Sequence, residues 1–327
     1  MAVVPIQKAD IVQLEIPSED LLQRQDSGSG SAGSAPSPLD RAPPGAYYYL
    51  TEGLEGIEPQ CYWSTRSFRT AINVQTDQLH SGNASQYAVF SHVTPHQLAD
   101  INRFRNTYCK SLRLLYYEYE ETLVVKIMPG AVHDIAVSQF EIILTLKLAS
   151  IELLGELSYM RATTYKGTDC EKEPDSSFRP RSSRPYTTNW PTLVIECGVS
   201  ESINRLRVDS NWWFANSEGQ VKTVLLISIS EKDRKILIEQ WEMLPEVNLQ
   251  VTRHELDPAR IRPECIRMIE IVEANAGDAS LQLGFQNLFL REPVQGETDI
   301  VFTTQDLERF AAYVWLDSQS DPLYMKQ

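Results

Sequence analysis

Residues 193–202 read LVIECGVSES, and this stretch decides the fold. Leu193, Val194 and Ile195 make the short apolar run of a strand buried on both faces. The run meets a carboxylate, Glu196, and two residues later Gly198, so a buried strand is expected to end on an acid. Downstream, SESINRLRVDSNWWFANS reads as a helix with Ile203, Leu206 and Trp213 on one face. VKTVLLISI then reads as a second continuous apolar strand, with ILIEQWE as its partner beyond a charged turn. Upstream, LRLLYYEYEETLVVKIMPG gives two strands, the second closed by Pro129 and Gly130. HDIAVSQFEIILTLKLASIELLGEL follows as a long helix with Ile135, Phe140, Ile143 and Leu144 among its apolar positions. A linker carrying Asp175 precedes the strand at 192–197. Strands alternating with helices of this length predict an α/β core with a mixed sheet.

Outside this core the patterns are plainer. Residues 24–45 (RQDSGSGSAGSAPSPLDRAPPG) hold almost nothing to bury, so residues 1–45 are expected to be a disordered tail and linker. Residues 46–114 are expected to form an N-terminal helical addition, with one helix starting at Thr94-Pro95-His96. The core spans 115–244, and 245–327 form an acidic α+β extension packed on it. In that extension LQLGFQNLFL reads as a strand and TTQDLERFAAYVW as a helix. Thr303 or Thr304 would be its N-cap, with Asp306 near its positive end.

Hydrophobic residues make up 42% of 327, enough for a sizeable core. Five widely spaced cysteines without a C-x-x-C pair fit reduced thiols better than a disulfide framework or a zinc site. The first twenty residues lack a basic n-region, and no apolar run approaches the roughly 20 residues of a membrane span. A cytoplasmic or nuclear protein is expected, and the N-x-S at Asn83 carries no weight. The net charge of −14 argues against a general nucleic-acid coat protein. Its distribution is uneven: residues 241–327 hold 15 acids and 7 bases, whereas 161–207 hold 8 bases and 6 acids. A phosphate-bearing ligand is therefore permitted near the opening stretch. No G-x-x-x-x-G-K, G-x-S-x-G or H-E-x-x-H motif is present, which removes support for nucleotide hydrolases, serine hydrolases and zincins.

The acids suggest chemistry. In EPDSSFRP (173–180) Asp175 stands about twenty residues before Glu196, each beside a strand. A hairpin would bring them to one point and make a hard oxygen site for Mg²⁺ or Mn²⁺. Such a metal polarises a phosphodiester and generates a hydroxide nucleophile. The bland alternative is a turn aspartate and a salt-bridged glutamate. What separates the two is whether both carboxylates come within reach of one ion.

The ordered segments LVVKIMPGAVHD, EPD, VIECGVSES and LRVDSNWWFANSEGQVKTVLLISI, over roughly 115–242, resemble the PD-(D/E)XK nuclease superfamily. Within it the chain is similar to the Uma-two branch and an uncharacterised fungal group related to it. The resemblance implies a restriction-endonuclease-like core, a central mixed sheet flanked by helices. It implies Asp175 and Glu196 as metal ligands for Mg²⁺ or Mn²⁺ and Glu141 on the first helix as a third. It also raises nucleic acid as a partner at the locally basic site and a homodimer as the assembly. The motif lysine falls on Gly198, and the residues after Asp209, where relatives carry a lysine, are Ser210, Asn211, Trp212 and Trp213. Arg205, Arg207 and Lys222 are the candidate replacements, although arginine does not exchange protons as lysine does. Two functions follow: a metal-dependent nuclease, weak for want of the lysine, or an inactive nuclease fold used for binding or as a scaffold.

Other residues carry paired readings. His133 is a cap or packing residue, or a base. Arg179, Arg181 and Arg184 either steer a phosphate backbone or form a solvated loop. Trp212 and Trp213 suit the core and rim of an amphipathic helix better than a base-stacking platform. Cys197 reads as an inert small hydrophobe.

Overall fold

The structure is a computed structural model that describes residues 45–80, 85–109, 111–128, 130–199, 203–245 and 261–316. Of the expected tail at 1–45 all but Gly45, and the Asn83 sequon, lie outside the described residues. The chain opens with α1 (Ala46–Thr51), β1 (Gln60–Cys61), α2 (Thr65–His80), β2 (Tyr87–Ser91) and α3 (Pro95–Tyr108). Next come β3 (Leu112–Tyr117), β4 (Thr122–Ile127) and the long α4 (Ala131–Ser150). Short strands β5 (Leu157–Tyr159), β6 (Tyr165–Lys166) and β7 (Cys170–Lys172) lead to β8 (Ser176–Pro180) and β9 (Leu193–Val199). Then follow α5 (Ile203–Asn216), β10 (Thr223–Ser230), β11 (Lys235–Pro245) and β12 (Ile261–Val272). The last elements are β13 (Leu281–Leu283), α6 (Phe285–Phe289), β14 (Ile300–Phe302) and α7 (Thr304–Leu316).

One six-stranded mixed sheet has the order β12-β11-β10-β9-β8-β5. Its centre is the parallel pair β9 and β10, with β8 and β11 antiparallel on either side. Both central strands are continuous apolar runs because both faces are covered. Leu193, Ile195 and Cys197 point to one core with Phe140 and Leu144 of α4 and Phe310 of α7. Val194 points the other way, to a core with Leu206, Trp212 and Trp213 of α5. Glu196 alternates onto the Val194 side, beneath α5. The architecture is α/β with a central mixed sheet flanked by helices, as expected from the sequence.

β9 continues to Val199, with Gly198 and Val199 opposite Ser228 and Ile229, so Glu196 stands inside the strand rather than at its end. A second six-stranded sheet, β1-β2-β4-β3-β7-β6, was not anticipated. The region read as a helical addition supplies three helices, but also β1, β2 and the start of β3. Strands β3 and β4, assigned to the core, pair in this second sheet and not beside β9. α3 starts as the sequence indicates: Thr94 Oγ1 accepts from the Gln97 N–H, Gln97 Oε1 accepts from the Thr94 N–H, and Pro95 fills the first turn.

The C-terminal region extends the central sheet through β12 and lays α7 on α4, with Phe140 and Phe302 stacked at 4.6 Å. Only residues 281–283 of the predicted strand LQLGFQNLFL are extended; the rest is α6, which Leu290 terminates in the left-handed conformation at φ 58°. Thr303 and Asp306 cap α7 reciprocally, backbone N–H to side chain in each direction. Each of the five cysteines is a free thiol. Among the described residues no helix is long and apolar enough to cross a membrane.

Candidate functional site

Where β8 leaves the linker, Asp175 meets Glu196 of β9, one residue beyond the paired Ser176 and Ile195. The two acids share a cation that comes from the other sheet. Lys126 of β4 donates to Asp175 Oδ2 at 2.8 Å and lies 3.6 Å from Glu196 Oε2. The Cys197 N–H also donates to Asp175 Oδ2, at 2.8 Å. His133 Nε2 stands 3.2 Å from the same oxygen but off the line of a hydrogen bond. Asp175 Oδ1 accepts no hydrogen bond although it is buried; its nearest cation is Arg113 Nε at 3.7 Å.

Glu196 is held at its other oxygen. Trp213 Nε1 donates to Oε1 at 2.7 Å, and Lys172 Nζ of β7 is 3.4 Å away. Lys172 also pairs with Asp209 Oδ1 at 2.9 Å. Asp209 in turn binds Arg205 one helical turn earlier, at 3.2 Å. Arg205 anchors α1 to this chain of charges by donating to the carbonyls of Tyr49 and Glu52. Asp175, Glu196 and Asp209 thus face Lys126, Lys172 and Arg205, all buried. Such a cluster holds together only because every charge has an opposite neighbour.

The fields act differently on each acid. Burial works against the charge of Asp175, yet Lys126, His133 and Arg113 hold its carboxyl well below the usual range. Burial pushes Glu196 up, with Lys172 and Lys126 only partly opposing it. Asp209 is kept low by Lys172 and Arg205 despite burial. For His133 burial opposes the charge, but Asp175 and Asp134 raise it above its ordinary value.

Toward solvent, Asp175 forms the floor of a cleft of about 260 Å³ lined by Arg113, His133, Glu141 and Arg161. Glu141 reaches it from α4 and accepts a 2.6 Å hydrogen bond from Ser176 Oγ. Such a cleft can hold a cation at its carboxylates, a phosphate at Arg113 and Arg161, or both.

Of the residues singled out in the sequence, the fold therefore brings together Asp175, Glu196 and, through Asp209, Arg205, with Glu141 at the rim. It does not bring Arg207, which pairs with Glu239 at 2.5 Å, nor Lys222, whose ammonium donates to the Gly219 carbonyl. Trp212 and Trp213 are fully buried and present no stacking surface. Lys126, Lys172 and Arg113 were missed. The signal for Lys126 was a lone lysine inside the otherwise apolar LVVKI. Among the described residues no group of three or more His, Cys, Asp or Glu is arranged to hold a metal ion.

No protein-family model matches the chain, and no curated protein matches it. Among solved structures, one match is titled "Crystal structure of a putative nuclease belonging to DUF820 from Anabaena variabilis". It is 13% identical, covers 61% of this chain and 90% of its own, and superposes with a TM-score of 0.35.

Proposed function

We propose that the protein is a metal-dependent phosphodiesterase of the nuclease type, with Lys126 in place of the lysine that Gly198 lacks. The observation that carries this reading is the meeting of Glu196 and Lys126 with Asp175, the acid that opens on a cleft also lined by Glu141, His133, Arg113 and Arg161. Mg²⁺ or Mn²⁺ fits there through Asp175 and Glu141. Asp175 Oδ1 is a buried carboxylate oxygen with no hydrogen bond, and Mg²⁺ keeps most of its waters while taking one or two carboxylates. Glu196 fits less well as a ligand, since Lys126, Lys172 and Trp213 already engage both its oxygens. When bound, the ion would polarise a phosphodiester and lower the pKa of a coordinated water. Lys126 orients Asp175, His133 Nε2 at 3.2 Å faces the same carboxylate oxygen, and Arg113 and Arg161 bind the phosphate.

A second reading rests on one observation: the buried acids are already balanced by Lys126, Lys172 and Arg205. A site frozen in this way suits an inactive nuclease fold that binds or scaffolds. Cleavage of labelled single- and double-stranded DNA and RNA in Mn²⁺ decides between them, with Asp175→Asn, Glu196→Gln and Lys126→Met purified identically. Cleavage by wild type alone supports the enzyme. Equal traces in every protein, or none in any folded one, support the binding module.

A further inference from the structure

Arg179 of β8 and Lys222 at the foot of β10 flank Thr192, and Arg184 lies on the loop before it. The Thr192 N–H donates to the Phe178 carbonyl, and the Thr192 carbonyl accepts from the Lys222 N–H, both at 2.9 Å. Arg184 donates to the carbonyls of Trp190 and Pro191 just before it, at 2.8 and 3.0 Å. Arg179, next to Phe178 in β8, is 5% exposed. Its Nε and Nη1 nevertheless have no hydrogen-bond partner. Among the described residues, no carboxylate lies within ion-pair distance of Arg179, Arg184 or Lys222. Burial lowers the pKa of Arg184, and burial followed by the Arg184 charge lowers that of Lys222, so these two cations feel each other.

Folding alone does not account for this. A guanidinium taken out of water without a counter-charge is costly, and a chain of net charge −14 has acids to spare for pairing. Buried polar groups left unpaired in a folded protein call for a missing partner. An anion is the partner that supplies both the hydrogen bonds and the counter-charge. Three positive charges suit a dianion better than a single carboxylate, and the fork of an arginine matches phosphate oxygens.

We propose that Arg179, Arg184 and Lys222 form a binding site for a phosphate group, with Arg179 supplying the fork. Asp175, Ser177 and Arg179 alternate onto one face of the β8 segment, so the site lies along that face, about 13 Å from Asp175. It requires no catalysis at Asp175.

The test is calorimetric titration of the full chain in EDTA with three probes: inorganic phosphate, 5′-AMP and a 5′-phosphorylated oligonucleotide. Saturable binding is expected in wild type, at least tenfold weaker in Arg179→Met and in Lys222→Gln, and partly kept in Arg179→Lys. The probe bound most tightly identifies the source of the phosphate. In phosphate-free buffer Arg179→Met should melt at or above wild type, because it removes an uncompensated buried charge, and phosphate should raise the melting temperature of wild type only. The proposal is overturned if wild type binds none of the probes, or if Arg179→Met binds them equally. It is also overturned if that variant melts lower than wild type whether or not phosphate is present, since the guanidinium would then be structural. EDTA separates these outcomes from any failure of cleavage.

Discussion

Lys126 Nζ sits 2.8 Å from Asp175 Oδ2, across 49 positions of sequence, and in doing so joins the two sheets at the candidate site. The lysine belongs to β4 and the aspartate to the start of β8, so the site exists only where the second sheet meets the central one. Several measurable consequences arise from this contact and its neighbours.

Replacing Lys126 with Met leaves Asp175 and Glu196 buried without their shared cation. Removing one partner of a buried ion pair costs about 3–5 kcal/mol. Urea unfolding should show a loss of that order, and Lys126→Arg should recover part of it. A change under about 1 kcal/mol would mean that water reaches the acids and screens them.

His133 gives the stability a pH dependence of definite sign. Its folded pKa lies above the ordinary histidine value, so its stabilising contribution is complete below that value. The contribution is lost as pH rises through the higher folded value. The urea midpoint of wild type should therefore fall between about pH 6.5 and the alkaline range. In His133→Asn this decline should flatten, and an identical decline in both proteins would contradict the role given to the Asp175 field.

Asp175 acts in the opposite direction. Its pKa is depressed, so its contribution is complete above the ordinary aspartate value and disappears as pH falls below it. Acid unfolding monitored by tryptophan fluorescence should begin below about pH 4 in wild type and lose its steepness there in Asp175→Asn.

Trp213→Phe removes the indole donor of Glu196 while keeping most of the ring's bulk. Leaving a buried carboxylate oxygen short of a donor costs about 1–3 kcal/mol, seen as a lower denaturation midpoint. The outcome to contrast is Trp63→Phe, at a ring that is 78% exposed, which should cost almost nothing.

Metal binding separates the acids from one another. Mn²⁺ titration should be weakened at least tenfold by Asp175→Asn and by Glu141→Gln, the two residues that face the cleft. Glu196→Gln should weaken it less, because both Glu196 oxygens are occupied by Lys126, Lys172 and Trp213. If Glu196→Gln abolished binding while Glu141→Gln had no effect, Lys126 would have to leave when metal enters.

Much of the core was legible by itself, because its signals are local. The apolar runs of β9 and β10 and the amphipathic α5 record which side of each backbone is buried, and that record is a periodicity among neighbouring residues. The spacing of Arg205 and Asp209 likewise fixes one helical face and turns Arg207 away toward Glu239. The sequence also marked Asp175 and Glu196 as acids beside strands. What it could not contain was their counter-charges. Lys126 and Lys172 arrive from strands of another sheet, whose pairing depends on registers between distant segments and leaves no periodic trace. Lys222 shows the converse: four residues before Leu226, which faces Glu196 in the parallel register, it is carried about 13 Å away to the arginines of β8 and its loop. Local chemistry chose the strands and their acids; only long-range packing, which carries Lys126 and Lys172 to these buried acids, decided which cations stand beside them.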